Sequence, residues 1–283
     1  MFEMESGTWL GDTRIGGGCP ARIVGVVNLS PESFYSGSVH RDRDAWARVA
    51  EQMARDGADF LDVGAMSTAP YKETRIPLDE EIRRYEAAIP VLTAASGLPV
   101  CLDTKRAQAA AAGLAAGATI LNDVGGLYED DGMAAVAAKA RGLVIMAIER
   151  PGAPTDPLDQ VLYSWQGSLA LARRAGIDPR QIVLDPGIGF FRSGPLSAPE
   201  WDIQVLRGLR RLTAPGYPLY VGVSRKSFIG ARLGRKDPAD RLAGSLAATV
   251  MAIVNGAAMI RTHDVAATRD AVRLAEDILG QGE

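Results

Sequence analysis

Cysteine and histidine are nearly missing from this sequence, with two of each among 283 residues. Cys19 and Cys101 lie far apart, which excludes a disulfide framework and a cysteine-rich zinc signature. His40 and His263 are too few for a His-rich metal site. An excess of one charge is missing too: 31 Lys and Arg against 34 Asp and Glu leave a net charge of -3. Such a balance carries no footprint for nucleic acid or an anionic membrane as partner. No run approaches the roughly 20 apolar residues that a bilayer span requires. Residues 1–14 contain acids and no apolar stretch, so they do not read as a secretory leader. No low-complexity tract or long linker divides the chain. The expectation is one domain, residues 1–283, in a reducing cytoplasm.

What the sequence does contain is a repeated alternation. Short apolar, β-branched runs read as buried parallel strands. They fall at residues 23–27, 59–63, 100–102, 119–121, 143–148, 182–184, 219–223 and 257–260. Between them lie stretches rich in Ala, Arg and Glu that read as helices, at 44–56, 79–95, 105–115, 130–140, 158–175, 200–212, 240–255 and 267–279. Strand then helix, eight times, predicts a single α/β domain folded as a (β/α)8 TIM barrel, for which about 250 residues are typical. Residues 9–20 precede the first strand. Their Gly-Asp and Gly-Gly-Gly turn signals predict a short N-terminal hairpin closing the bottom of the barrel.

Barrel enzymes place their chemistry where the strands end. The first strand runs into Asn28-Leu-Ser-Pro-Glu-Ser-Phe and the second ends at Asp62-Val-Gly-Ala-Met-Ser-Thr. The next four deliver Asp103-Thr-Lys, Asn122-Asp-Val, Met146-Ala-Ile-Glu149-Arg and Asp185-Pro-Gly-Ile-Gly-Phe. The last two give Ser224-Arg-Lys-Ser and Arg261-Thr-His-Asp. A single Asp or Asn in such a place is usually a helix cap, but every strand here delivers a polar group to one face. Asp103, Asn122 and Asp185 offer carboxylates and an amide. They suit a flat heterocycle bearing an amino group beside a ring N–H, because two parallel donors match one carboxylate. Arg225, Lys226, Arg261 and His263 crowd the last two strand ends, a common phosphate site in these barrels. For each of these four, surface ion pairing is the competing explanation. No Ser-His-Asp or Cys-His set is evident.

In order along the chain, these strand ends resemble the dihydropteroate synthases of the pterin-binding enzyme family. The first loop is similar to that family's Asn-Val-Thr-Pro-Asp-Ser-Phe. Asp185-Pro-Gly-Ile-Gly-Phe, Ser224-Arg-Lys-Ser-Phe-Ile-Gly and Arg261-Thr-His-Asp-Val are similar to its later signatures. The resemblance implies a transferase of the EC 2.5.1 type. It would condense 6-hydroxymethyl-7,8-dihydropterin pyrophosphate with 4-aminobenzoate or a related arylamine, releasing pyrophosphate in folate or related pterin biosynthesis. It further implies that Asp103, Asn122, Asp185 and Lys226 hold the pterin. Arg261 would lie against the ring and reach the phosphates with His263, so that Lys226, Arg261 and His263 form the catalytic set. Asn28 would bind pyrophosphate and Mg²⁺. Ser67, Thr68 and Ser227 would serve the arylamine, Ser227 from a helix start. A homodimer is implied as well.

The sequence also departs from that family. Its second loop usually reads Ser-Thr-Arg-Pro-Gly, and here it reads Ser67-Thr68-Ala69-Pro70-Tyr71, with Lys72 and Arg75 as the nearby bases. The preceding Gly-Glu is Ala65-Met66. The fifth strand's Met-His-Met is Met146-Ala147-Ile148, and the lysine expected after Gly-Phe-Gly is replaced by Phe191-Arg192. These changes gather on the arylamine side. Two other readings stand beside the synthase: a pterin-dependent methyltransferase serving a corrinoid protein, and a non-catalytic pterin-binding protein. The basic cluster favours the synthase, since a methyltransferase has no pyrophosphate to expel.

Overall fold

The computed structural model describes residues 7–29, 43–66 and 76–280. The first-loop residues after Leu29, His40, and Ser67, Thr68, Ala69, Lys72 and Arg75 lie outside the described residues. Two short strands, β1 (Thr8–Leu10) and β2 (Thr13–Ile15), pair antiparallel. Eight parallel strands follow: β3 (Arg22–Asn28), β4 (Phe60–Gly64), β5 (Val100–Thr104), β6 (Ile120–Asp123), β7 (Leu143–Met146), β8 (Ile182–Asp185), β9 (Leu219–Gly222) and β10 (Ala257–Thr262). They close into a barrel in the order β10-β3-β4-β5-β6-β7-β8-β9. Around it run α1 (Arg43–Arg55), α2 (Leu78–Ser96), α3 (Ala107–Ala115), α4 (Met133–Ala137) and α5 (Pro157–Arg174). The series continues with α6 (Ala198–Arg207), α7 (Ser227–Leu233), α8 (Leu242–Val254) and α9 (Val265–Ile278). The barrel, its strand count and its hairpin are as the sequence predicts.

The helices form for local reasons. Helix α1 buries Trp46, Ala50 and Met53, a spacing of four and three that lays one stripe on the barrel. Helix α2 opens on Asp79, Glu80 and Glu81, favourable to the helix dipole, and stops at left-handed Gly97. Helix α5 starts on Asp156, whose carboxylate accepts from Leu158 N and Asp159 N at 3.0 Å each, with Pro157 in the first turn. Of the elements that are shorter than the sequence predicts, two have a clear local cause. The helix expected at 130–140 is only Met133–Ala137. Asp130 instead bonds Gly132 N at 2.9 Å and caps α3 through Ala107 N at 2.8 Å. The strand expected at 143–148 ends at Met146, because Ile148 N turns to Ser164 Oγ at 2.9 Å.

Side chains alternate across a strand, so every second residue faces the barrel interior. The lower interior layer is apolar. Val24, Phe60, Cys101, Ile120, Val144, Val183, Tyr220 and Met259 form one buried cluster, one from each strand. Leu10 and Ile15 of the hairpin belong to the same cluster and seal it from below. Gly11 N donates to Arg141 O at 2.9 Å, which fixes the hairpin against the loop before β7. Two residues further along, the same inward parity gives Asp62, Asp103, Asn122, Met146, Asp185 and Arg261. The barrel interior is therefore hydrocarbon at its closed end and charged at its open end.

Candidate active site

The charged layer is one connected network. Asp62 is fully buried. Its Oδ2 accepts from Arg261 Nε at 2.5 Å, and its Oδ1 accepts from Asn122 Nδ2 at 3.0 Å. Arg261 Nη2 donates to Asp103 Oδ2 at 2.9 Å, so one guanidinium binds two carboxylates. Tyr85 of α2 supports the layer from outside the barrel: its hydroxyl donates to Asp103 O at 2.7 Å and accepts from Ala65 N at 3.2 Å. Asp103 Oδ1 and Asn122 Oδ1 are buried and have no hydrogen-bond partner within the protein. Burying an acceptor without a partner costs about 1–3 kcal/mol. Two such acceptors in one layer mark where a donor-bearing molecule belongs.

Asp185 and Lys226 complete the pocket. Asp185 Oδ1 accepts from Gly187 N at 2.7 Å. This Asp-Pro-Gly turn needs its glycine: Gly187 has φ +74°, and a Cβ there would sit 2.6 Å from Ala147 O. Gly189, at φ +86°, lets the Lys226 stem pass beside it, and its N–H donates to buried Asp202 Oδ1 at 2.7 Å. Lys226 Nζ donates to Ile188 O and lies 4.8 Å from the centre of the Phe190 ring. Ser227 begins α7 immediately after Lys226. His263 follows β10, its Nδ1 3.0 Å from Ser224 Oγ. Asn28 is the last residue of β3 and part-buried.

Burial shapes the charge states. It pushes Asp103 up to about 7, with the neighbouring Asp62 adding to the rise and Arg261 opposing it. Burial also raises Asp185 against the pull of Lys226. Lys226 is brought down to about 8 by burial, with Asp185 and Asp202 resisting. For Arg261 burial works against the charge, but Asp62 and Asp103 prevail and hold the guanidinium protonated. His263 falls to about 3 through burial and then through Arg261, Arg225 and Lys226. The cations that strip its proton make the same corner attractive to a polyanion.

Not every polar strand end joins the site. Arg225 is held by a bidentate ion pair to Asp264, at 2.9 and 2.6 Å, and by the carbonyls of Pro238 and Ala239 at 2.8 and 2.9 Å. These partners hold its backbone at φ +56°, an unusual place for any residue but glycine, so its work is structural. Asp123, one residue off the inward parity, accepts from Gly125 N at 2.9 Å and Leu127 N at 2.5 Å and shapes its loop. The sequence reading brought Asp103, Asn122, Asp185, Lys226, Arg261 and His263 to one end of the barrel, where the structure places them. The sequence shows Asp62 at a strand end without assigning it a role, and it does not single out Asp202. Parity was the available signal for Asp62, which stands two residues after Phe60. Asp202, inside α6, carried no signal of that kind. Among the described residues, no group of three His, Cys, Asp or Glu side chains is placed to hold a metal. No helix among them is long and apolar enough to cross a membrane.

An eight-stranded barrel with acceptors, amide and cations at its open end defines a class, enzymes that bind a flat amino-heterocycle carrying phosphate. Comparison with known proteins gives the family. The chain belongs to the pterin binding enzyme family, whose model matches residues 24–263. It is similar to the dihydropteroate synthase of Neisseria meningitidis serogroup B, 37% identical over 269 residues, covering 90% of this chain and 92% of the relative. It is similar to that of Synechocystis, 34% identical over 275 residues, covering 94% and 93%. Among solved structures, a Clostridium difficile dihydropteroate synthase with pteroic acid superposes with a TM-score of 0.83 at 35% identity, covering 92% of this chain and 97% of the other. A Xanthomonas albilineans dihydropteroate synthase in complex with 7,8-dihydropteroate superposes with a TM-score of 0.80 at 34% identity, covering 93% and 94%.

Proposed function

We propose that this protein joins 6-hydroxymethyl-7,8-dihydropterin pyrophosphate to 4-aminobenzoate or a related arylamine. The observation that carries the reading is the pair of unpartnered acceptors, Asp103 Oδ1 and Asn122 Oδ1, beside Asp185 and beneath a cluster of bases. Pterin donors satisfy those acceptors. Lys226 and Arg261 flank the ring, and the phosphates lie toward Arg261 and His263. In the reaction the methylene C–O bond to pyrophosphate breaks and a C–N bond to the amine forms. The amine then loses one proton. The electron-rich pterin stabilises positive charge developing at the methylene, and the cations stabilise the leaving group. An arylamine needs little activation, so the absence of a strong base from the proposed catalytic set is consistent with the chemistry.

Mg²⁺ would be held at this site by oxygen donors. It takes oxygen ligands, keeps several waters and commonly relies on one or two protein groups plus substrate phosphate. The Asn28 amide oxygen would supply one such ligand and the pyrophosphate others, and the ion would neutralise leaving-group charge. Ser227 would help hold the arylamine carboxylate, with Ser67 and Thr68 from the second loop. A homodimer is part of this reading; exposed Met251 of α8 and Leu274 and Ile278 of α9 offer apolar surface for it. The test is pyrophosphate release from the pterin pyrophosphate with a panel of arylamines. Amine-dependent release with matching pterin–arylamine product is expected. Tight pterin binding with silence toward every amine would overturn the transferase reading.

A further inference from the structure

Asp62 is buried among the pocket residues, yet both of its oxygens are engaged by protein, through Asn122 Nδ2 and Arg261 Nε. An ion-paired carboxylate can only accept hydrogen bonds. Its neighbour Asn122 is different: one end of its amide donates and the other accepts, and alone it could offer a ligand either end. Asp62 removes that choice by taking the donor end. What remains is Asn122 Oδ1, buried and without a partner in the protein. The same carboxylate holds Arg261 by Nε, so that Nη2 is the group that reaches Asp103 Oδ2 at 2.9 Å. Asp103 Oδ1 is thereby also left without a partner.

We infer that Asp62 is the positioning residue that sets the hydrogen-bonding polarity of the pocket. It makes Asn122 and Asp103 both present acceptors, so the pocket selects the amino edge of a heterocycle and rejects an oxo edge. The inference rests on the pterin reading above and deepens it. A site built to pair with a ligand's N–H loses affinity sharply for an analogue that presents oxygen there, since the buried acceptors are then left unpaired. Without Asp62 the amide of Asn122 can turn, and the pocket loses its preference rather than only its strength.

The experiment measures binding of 6-hydroxymethylpterin and of its 2-oxo counterpart, the lumazine, by calorimetry. The proteins are the wild type, Asp62→Asn, and the swap Asp62→Asn with Asn122→Asp, each checked for folding by circular dichroism and melting. The wild type is expected to prefer the pterin by about tenfold or more. Asp62→Asn brings that ratio to one or below, because Arg261 Nε keeps the oxygen of the new amide, its Nδ2 then faces Asn122, and Asn122 turns to present a donor to the ligand. In the swap, Nδ2 of the new amide donates to one oxygen of the new carboxylate and leaves the other to the ligand, so the preference returns. Equal weakening of both ligands in Asp62→Asn, with the ratio kept, overturns the inference. So does a folded swap protein that stays at the ratio of the single variant. If the swap does not fold, the single variant's ratio decides. A wild type that binds neither ligand would sink the pterin reading itself, a distinguishable failure.

Discussion

The two interior layers of the barrel come from the same strands and differ by two residues along each. Phe60 lies below Asp62, Cys101 below Asp103, Ile120 below Asn122, Val183 below Asp185 and Met259 below Arg261. The lower layer is sealed by Leu10 and Ile15 and is apolar packing apart from the buried hydroxyl of Tyr220. The upper layer carries buried charge and two unpartnered acceptors. Burying charge costs stability unless it is paired, so a barrel that had only to fold would extend the lower layer upward. The difference teaches that stability and chemistry are separated here by strand position. Substitutions two residues apart on one strand then have unlike consequences.

The largest expected effect tests the lower layer. Leu10→Ala removes a wholly buried side chain from the plug and is expected to cost about 2–5 kcal/mol of stability. Chemical unfolding measures it, and pterin affinity at low temperature should hold within about twofold, a few tenths of a kcal/mol. A large loss of affinity in the folded variant would break the separation of layers. The matching change above is Asp185→Asn. Its carboxylate already accepts from Gly187 N and offers its remaining capacity to the ligand. An amide replaces one acceptor by a donor, so pterin binding should weaken by about 1.5–3 kcal/mol, with melting little altered. Unchanged affinity by calorimetry would remove Asp185 from the pocket.

The pH dependence sharpens the contrast, because the titrating groups described here sit in the upper layer. Pterin binding as proposed wants Asp103 ionised and Lys226 protonated. Asp103 is pushed up to about 7 and Lys226 brought down to about 8. The kcat/KM for the pterin substrate should therefore rise as pH approaches about 7 and fall above about 8. A flat profile from pH 6 to 9 would contradict it. Stability carries opposite signs from two groups. His263, lowered to about 3, binds its proton in the unfolded chain first. Its contribution therefore declines as pH falls from about 6.5 toward 3. Asp103, raised, contributes stability that is full below its unfolded value and lost as pH rises through about 7. His263→Asn should lessen the acid sensitivity below pH 6.5 in melting experiments.

The repeat of strand and helix was legible because buried parallel strands are continuous apolar runs and the helices between them are not. The hairpin was legible from its glycines. Asp103, Asn122, Asp185 and Arg261 were legible because each lies at the end of a strand, and Lys226 because it follows one within a basic cluster. Less legible was the division of labour among polar strand ends, since Asp123 and Arg225 look like site residues in sequence. Parity separates Asn122 from Asp123, but the partners of Arg225 come from residues 13 to 39 positions away. The shortened helix at 133–137 was hidden for a similar reason: Asp130 spends its carboxylate on another helix. Asp202 was out of reach, because its work is to hold a glycine N–H thirteen residues upstream.

The smallest expected effect lies above both layers, in the loops. Glu149 stands in a strand end that departs from the family pattern, and its carboxylate ties two loops together. Oε1 accepts from Arg192 N and from Ser193 N, the latter at 2.6 Å, and Oε2 accepts from Ser193 Oγ at 2.8 Å. Arg192 Nη2 in turn donates to Gly189 O at 2.8 Å. The segment bearing Phe190 is thus fastened at Gly187 by Asp185, at Gly189 by Asp202 and at Arg192 and Ser193 by Glu149. The first two fastenings are buried and belong to the pocket, whereas Glu149 is exposed. Exposed polar contacts are worth about 1 kcal/mol or less, so Glu149→Ala should loosen the outer end of the segment and leave the pterin layer intact. The expected outcome is a rise of about two- to fivefold in KM for the arylamine, with pterin affinity and melting unchanged; that range corresponds to the same fraction of a kcal/mol. Steady-state kinetics with each substrate varied in turn measures it. A loss of pterin affinity equal to the loss for the arylamine would show that the loop and the charged layer act as one unit.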